Sequence, residues 1–456
     1  MERKIAAKLL EWKKAPDRKP LLLCGARQVG KTHSALSFGR ESYANVAYFN
    51  FEFSDRLHRV FDGDLDPHRI VRSLSALSGS DIVEEGTLIV FDEVQACPRA
   101  LTSLKYFREN APGYHLMATG SMLGASVSRD GASFPVGSAN MLRMGPMDLE
   151  EFMAATGRKG LAGEIRRAYR ACEEFDLHDA AMGAYREYLA VGGLPEAVNA
   201  YREGRGAGGV AAAHADLDAA YVGDMSKYTS KAEALRIRAI WSSIPRHLAR
   251  EDRRFVLRDA AEGARTRDME GPLEWIRASG LASMCPRVSS GRAPLAARGE
   301  DRFFKLYMFD TGLLASKLGA PFNAVLSDEG AMDQYRGPLA ENFVMQSLKA
   351  NGVRPSYWSP SPNREVDFVF QGSDGAVIPV EVKASARVGS RSLSAFMGEY
   401  GPRVAARVSA KNFGFEGGIL SVPLYAAFCL DGSACEFADR SPLHPPGREE
   451  RDLLRG

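Results

Sequence analysis

Short, almost wholly apolar runs alternate with longer stretches of helical period through the first third of the chain: Leu21-Leu22-Leu23-Cys24, Val46 to Phe51, Thr87 to Phe91 and His115 to Thr119. Apolar runs separated by helix-length segments predict a parallel sheet covered by helices on its faces. From about Glu151 to Lys231 the pattern turns Ala-rich and helical. It is interrupted at Gly192-Gly193-Leu194-Pro195-Glu196, where paired glycines followed by proline stop one helix and start the next. Helical periods return at Ala234–Arg250, Arg253–Ala260 and Asp268–Ser279, and alternation from Leu281 to Asp310 predicts a pair of strands. An amphipathic helix opens at Arg336. A strand around Ser356-Tyr357-Trp358 follows, then Glu365–Phe370 and Val377–Lys383 flank a Gly-containing turn, so helix, strand and hairpin form a second small α/β unit.

Composition changes this picture little. With 456 residues, 45% of them hydrophobic, the chain has material for about three ordinary globular domains. A net charge of +2 excludes any inference of a nucleic-acid or membrane partner from the total, so partners must be read from local distribution. The arginines 236, 238, 246, 250, 253, 254, 258, 265 and 267 are such a local concentration, although Glu251, Asp252, Asp259 and Glu262 are interleaved with them. A DNA-phosphate contact, a solvated helix face and a protein interface are all compatible with that pattern. Six scattered cysteines without a C-x-x-C pair fit reduced thiols and suggest no zinc site; with no apolar run near the ~18 residues of a membrane span, a cytoplasmic protein without membrane partners is expected.

The chemistry is densest after the first strand. Gly25-Ala26-Arg27-Gln28-Val29-Gly30-Lys31-Thr32 is a complete G-x-x-x-x-G-K-[ST] loop between strand and helix. Its glycines let backbone N–H groups curl round phosphates, Lys31 reaches β/γ oxygens, and the Thr32 hydroxyl is suited to Mg²⁺. Residues 25–32 with His33 are therefore the expected nucleotide-binding set: Gly25, Ala26, Arg27, Gln28, Val29, Gly30, Lys31, Thr32 and His33. Asp92 and Glu93 follow a buried strand, at the sheet edge where phosphates lie; Asp92 is expected on the metal with Thr32, and Glu93 on the attacking water. At the end of the next strand Thr119 or Ser121 offers a hydroxyl to the γ-phosphate or the water, the alternative being a glycine turn without nucleotide contact.

These segments, with Phe91-Asp92-Glu93-Val94-Gln95 and Thr119-Gly120-Ser121, resemble the prokaryotic AAA-type ATPases that carry a C-terminal domain of unknown function. Phe134–Ser138, Gly145–Phe152, the Gly-Gly-x-Pro-Glu stretch and Lys305-Leu306-Tyr307…Asp310…Gly312-Leu313-Leu314 are similar to later stretches of that family. Relatives often place an arginine where this chain has Ser138, so no arginine finger is assigned; Arg129 and Arg143 are candidates, with ordinary surface arginines as the alternative. The resemblance implies an AAA-type domain at 1–150, a helical lid at 151–232, a winged helix at 233–318, a PD-(D/E)xK nuclease-like α/β domain at 330–440 and a mobile tail at 441–456.

In that last domain Glu341, Asp367, Glu381 and Lys383 stand in the order of a nuclease core, in which the carboxylates hold Mg²⁺ and the lysine activates water. A structural ion-pair cluster is the alternative. The resemblance thus implies an ATPase using ATP, ADP and Mg²⁺, assembled as a homo-oligomer, a ring among the forms. It would act as a motor or switch on duplex or branched DNA. The alternatives are a nucleotide-gated protein-binding scaffold and an ATP-regulated nuclease.

Overall fold

The apolar runs of the first third are strands: β1 (Leu21–Cys24), β2 (Asn45–Asn50), β3 (Thr87–Asp92) and β4 (His115–Gly120), joined by β5 (Asn140–Arg143). They lie parallel in the order β2-β3-β4-β1-β5. The computed structural model describes residues 1–121, 137–227, 229–263, 265–327, 330–385, 389 and 391–439. Arg129, the segment 134–136 and the tail 441–456 lie outside the described residues.

Because the chain steps from β1 outward to β2 and then returns through β3 and β4, β1 is a switch point. Its carboxyl end faces a crevice where a ligand fits. Every residue of β3 and β4 is buried, as a sheet covered on both faces requires. One face packs Leu22, Ile89 and Phe91 against Ile70, Leu74, Leu104 and Phe107 of flanking helices. Phe91 meets Phe51 and Phe61 edge to face at 5.4 and 5.7 Å, each contact contributing about 0.5–1.5 kcal/mol beyond its buried area. Helix starts are locally encoded: Asp66 accepts from the N–H groups of His68 and Arg69 to cap Pro67–Ser78, and Pro98 opens Pro98–Asn110.

This sheet belongs to a unit made of Met1–Ala162, Gly183–Met284 and Lys305–Gln346. Here the Gly192-Gly193 motif and the Asp310-x-Gly312 motif interlock. Asp310, buried at the start of helix Thr311–Lys317, accepts from Leu313 N at 2.8 Å and from Gly193 N at 2.7 Å. Burial pushes its carboxyl up while these N–H groups draw it back. Gly193 O in turn accepts from Met147 N at 2.7 Å, and a Cβ on Gly193 would fall on the Met147 carbonyl oxygen. The glycines that stop one helix and start the next thus also have a packing role: two backbones approach too closely for any side chain. Gly193→Ala is expected to cost about 2 kcal/mol or more and to lower the melting temperature, read by calorimetry.

The second unit, Gly163–Met182, Cys285–Phe304 and the chain from Ser347 onward, carries a mixed sheet. The sheet's strands are β6 (Ala282–Val288) and β7 (Gly299–Met308), of which Ala282–Met284 and Lys305–Met308 are counted in the first unit, β8 (Ser356–Ser361), β9 (Arg364–Gln371), β10 (Val377–Val382), β11 (Ala405–Ser409), β12 (Gly414–Glu416) and β13 (Ile419–Pro423). The order is β12-β13-β11-β10-β9-β8-β6-β7. The strand pair expected as the wing of a winged helix therefore extends the C-terminal sheet, β6 pairing with β8 through Arg287 with Tyr357 and Val288 with Trp358. The reason is burial: Val288 and Trp358 share one core with Val366, Val369, Leu393 and Phe396, and Trp358 meets the Phe396 ring at 5.1 Å.

Candidate functional site

The loop after β1 takes its shape from three residues. Gly25 (φ +156°) passes so close to Met144 that a Cβ would fall on the Met144 carbonyl oxygen. Gln28 (φ 62°) and Gly30 (φ 96°) are left-handed on either side of Val29. Such alternation turns successive N–H groups toward one concave side, an anion-binding nest that runs straight into the N-terminus of helix Lys31–Ser42. Lys31 Nζ donates to the carbonyls of Gly25 at 3.0 Å and Ala26 at 2.7 Å. Burial pushes its ammonium down to about 8, against the pull of Glu93 and Asp92.

Since β4 lies between β1 and β3, the ends of all three strands meet. Thr32 Oγ1 is 3.1 Å from both carboxylate oxygens of Asp92. Thr119 Oγ1 donates to Asp92 Oδ1, and Tyr48 on β2 donates to Oδ2 at 2.6 Å. Asp92 is thus a buried carboxylate held by three hydroxyls from three elements. Glu93 follows in a left-handed conformation (φ 51°) that a non-glycine residue adopts only where its surroundings impose it. Its Oε2 accepts from Gln95 Nε2 at 2.5 Å and from Ser121 Oγ at 3.3 Å. Thr119 and Ser121 therefore serve different carboxylates.

Several neighbours were not singled out in the sequence. Arg3 Nη1 donates to Val29 O at 2.7 Å, its Nη2 to Gly145 O at 2.8 Å, and its Nε lies 3.1 Å from Glu151. Arg27 pairs with Asp224 at 2.7 Å, and Tyr221 OH donates to Arg27 O at 3.2 Å. Lys227, on the same helix as these two, pairs with Glu52 at 2.5 Å. His33 is exposed, and Arg143 stands on β5 beside Cys24.

Part of the arginine-dense segment is paired within the chain, mostly at its surface. Arg238 donates to Ser226, Arg246 to Asp259 O at 2.5 Å, Arg250 to the Asp259 carboxylate at 3.0 Å, and Arg253 to Glu341. Arg265 and Arg267 are exposed.

The four residues set side by side as a nuclease core divide between the two units. Glu341, 1% exposed, belongs to the first, where it pairs with Arg253 and with Lys305 at 2.9 Å and accepts from Tyr307. Asp367, Glu381 and Lys383 belong to the second. Val380 pairs with Phe368, which sets Asp367 across from Glu381; Asp367 Oδ2 accepts from Val382 N at 2.8 Å, and Lys383 Nζ lies 2.7 Å from Glu381 Oε1. Among the described residues Glu381 Oε2 is buried without a hydrogen-bond partner. Among them, too, no three His, Cys, Asp or Glu side chains gather in a group that could hold a metal ion, and no helix is long and apolar enough to cross a membrane.

Residues 17–153 match the model of an AAA domain. Residues 182–323 and 336–426 match two domains of unknown function, DUF8612 and DUF4143. No curated protein matches the chain. Among solved structures, the chain is similar to the Aeropyrum pernix ORC1 protein in complex with DNA at 16% identity, covering 71% of this chain and 92% of that one with a TM-score of 0.29. Others are the Aeropyrum pernix ORC2 protein in its ADPNP-ADP complexes, at 12% identity over 71% and 90% with a TM-score of 0.35, and CDC6P from Pyrobaculum aerophilum, at 11% over 71% and 92% with a TM-score of 0.24. TM-scores this low establish no shared overall fold. The match over residues 17–153, together with the parallel sheet and the loop at the end of β1, identifies this part of the chain as a domain of the AAA-type ATPases.

Proposed function

We propose that the AAA-type domain binds ATP and hydrolyses it with Mg²⁺, and that the chain uses this cycle as a switch on DNA. The observation that carries the reading is the meeting of loop, Asp92 and Glu93 at one sheet edge, with Thr32 Oγ1 3.1 Å from both Asp92 oxygens. A hydroxyl beside a carboxylate is the oxygen donor set that Mg²⁺ takes, so Thr32 and Asp92 fit the ion and would hold it. Bound there, Mg²⁺ would supply positive charge that offsets the negative charge of the phosphates.

The rest is done by the chain. The nest at Gln28–Gly30 and the N-terminus of helix Lys31–Ser42 orient the phosphates. Lys31, whose ammonium burial disfavours, exchanges the carbonyls of Gly25 and Ala26 for phosphate oxygens that restore its charge. Thr119 and Tyr48 fix Asp92. Glu93 accepts a proton from the water that attacks the γ-phosphorus; the bond to the bridging oxygen breaks, and ADP and inorganic phosphate leave. Thr32→Ala is expected to keep ATP bound and to lose most Mg²⁺-dependent turnover, followed by phosphate release against a fluorescent-nucleotide binding curve. Full turnover in that variant would remove Thr32 from the site.

The DNA role is supported by the exposed arginines 265 and 267 beside the internally bound ones. Duplex or branched DNA should raise ATP turnover, and turnover indifferent to DNA would favour the nucleotide-gated protein-binding scaffold instead. One observation favours a second activity: Glu381 Oε2, buried and among the described residues without a hydrogen-bond partner, stands beside Lys383 in the C-terminal sheet and suits metal-dependent cleavage of nucleic acid. Mg²⁺-dependent nicking of duplex DNA that disappears in Lys383→Ala is the expected result; intact DNA with the wild-type chain would dismiss it.

A further inference from the structure

Glu93 can serve as a base only if its carboxylate is held in one orientation, and the group in position to hold it is two residues further on. The short helix Val94–Ala96 brings the Gln95 side chain back beside Glu93, with Nε2 2.5 Å from Glu93 Oε2 and 3.5 Å from Ser121 Oγ. The amide orientation is dictated by chemistry, since a carboxylate offers no donor and only the NH₂ end of Gln95 can face it. The other end is then fixed as well: Gln95 Oε1 is buried and, among the described residues, has no hydrogen-bond partner. An unmade buried acceptor keeps its desolvation cost without a compensating hydrogen bond, so an apolar side chain of the same length would pack there at lower cost. Glu93 itself holds a left-handed backbone that only a constrained site imposes. With Oε2 taken by Gln95 and Ser121, Oε1 is the oxygen left to accept a proton.

We infer that Gln95 is a positioning residue for ATP hydrolysis: its amide N–H fixes Glu93 Oε2 against Ser121, and its buried carbonyl oxygen accepts a hydrogen bond from the attacking water. This rests on the reading of Glu93 as the base. Water then lies between two acceptors, Glu93 Oε1, which takes its proton, and Gln95 Oε1, which orients it without taking one.

The test is made on the full chain with saturating ATP and Mg²⁺, comparing wild type, Gln95→Ala, Glu93→Gln, the double variant and Gln95→Glu. Gln95→Ala should lower kcat about 10-fold and leave KM within about 2-fold, a loss on the scale of general acid–base effects. In the Glu93→Gln background the same substitution should cost nothing further, since the two residues act through one step. Gln95→Glu keeps the shape, and so carries the test even if the alanine variant loosens the fold. It replaces the amide donor with a second carboxylate against Glu93 and should lower kcat at least as far as Gln95→Ala, with KM within about 2-fold. An unchanged kcat in Gln95→Ala or Gln95→Glu, or an equal loss in both backgrounds, overturns the inference while leaving Glu93 as base. Wild-type turnover in Glu93→Gln instead removes the base, and Gln95 with it.

Discussion

Glu93→Gln is expected to reduce ATP turnover roughly 10²–10⁴-fold while ATP still binds. The substitution keeps the size and the acceptor oxygen through which Ser121 and Gln95 hold the side chain at 3.3 and 2.5 Å, and removes only the capacity to take a proton. Phosphate binding rests on other groups, the loop N–H groups and Lys31, while Thr32 and Asp92 would hold the metal. The two functions should therefore separate in one variant, with single-turnover hydrolysis nearly lost and nucleotide affinity within a few-fold of wild type. A parallel loss of binding would mean that Glu93 supports the loop, and unchanged hydrolysis that the proton goes elsewhere.

Glu341→Gln should have the largest effect on stability, roughly 3–5 kcal/mol, because it removes the buried carboxylate that pairs with Arg253 and Lys305. Burial alone would raise the carboxyl; Arg253, Lys305 and the Tyr307 hydroxyl outweigh it and hold the group down to about 2. The folded value thus lies below that of an unfolded glutamate, about 4.3. The contribution is complete above that pH and is lost as the pH falls toward 2, so wild type should lose stability through this window. The variant, already without the charge, should show a flatter acid limb. Denaturant melts of both proteins between pH 2 and 6 would show it, and parallel pH profiles would contradict it.

Much of this was legible in the chain itself. A phosphate loop declares its conformation locally, since Gly30 and the Gly-Lys-Thr ending leave few alternatives, and the strands before and after it are apolar enough to announce a buried sheet. Asp92 and Glu93 were legible because a strand's end fixes where its next residues stand. Residues that complete the site from elsewhere carried no such mark: Tyr48 looks like an ordinary strand aromatic until β2 is seen beside β3, and Arg3 is one of many terminal cations until it reaches Val29 and Gly145. Alternation at 281–310 identified strands but not their neighbour, which is decided by the shared core of Val288 and Trp358. Glu341 shows the converse limit. Order along the chain set it with Asp367, Glu381 and Lys383, whereas two cations and a tyrosine hydroxyl claim it in the first unit.

The most direct measurement is phosphate release from saturating ATP by the full chain, with Mg²⁺ and with Mg²⁺ chelated, for wild type and Lys31→Ala. The account predicts steady release by wild type that stops on chelation, and neither binding nor release in Lys31→Ala. Release by the wild type that survives chelation, or equal turnover in Lys31→Ala, would contradict it.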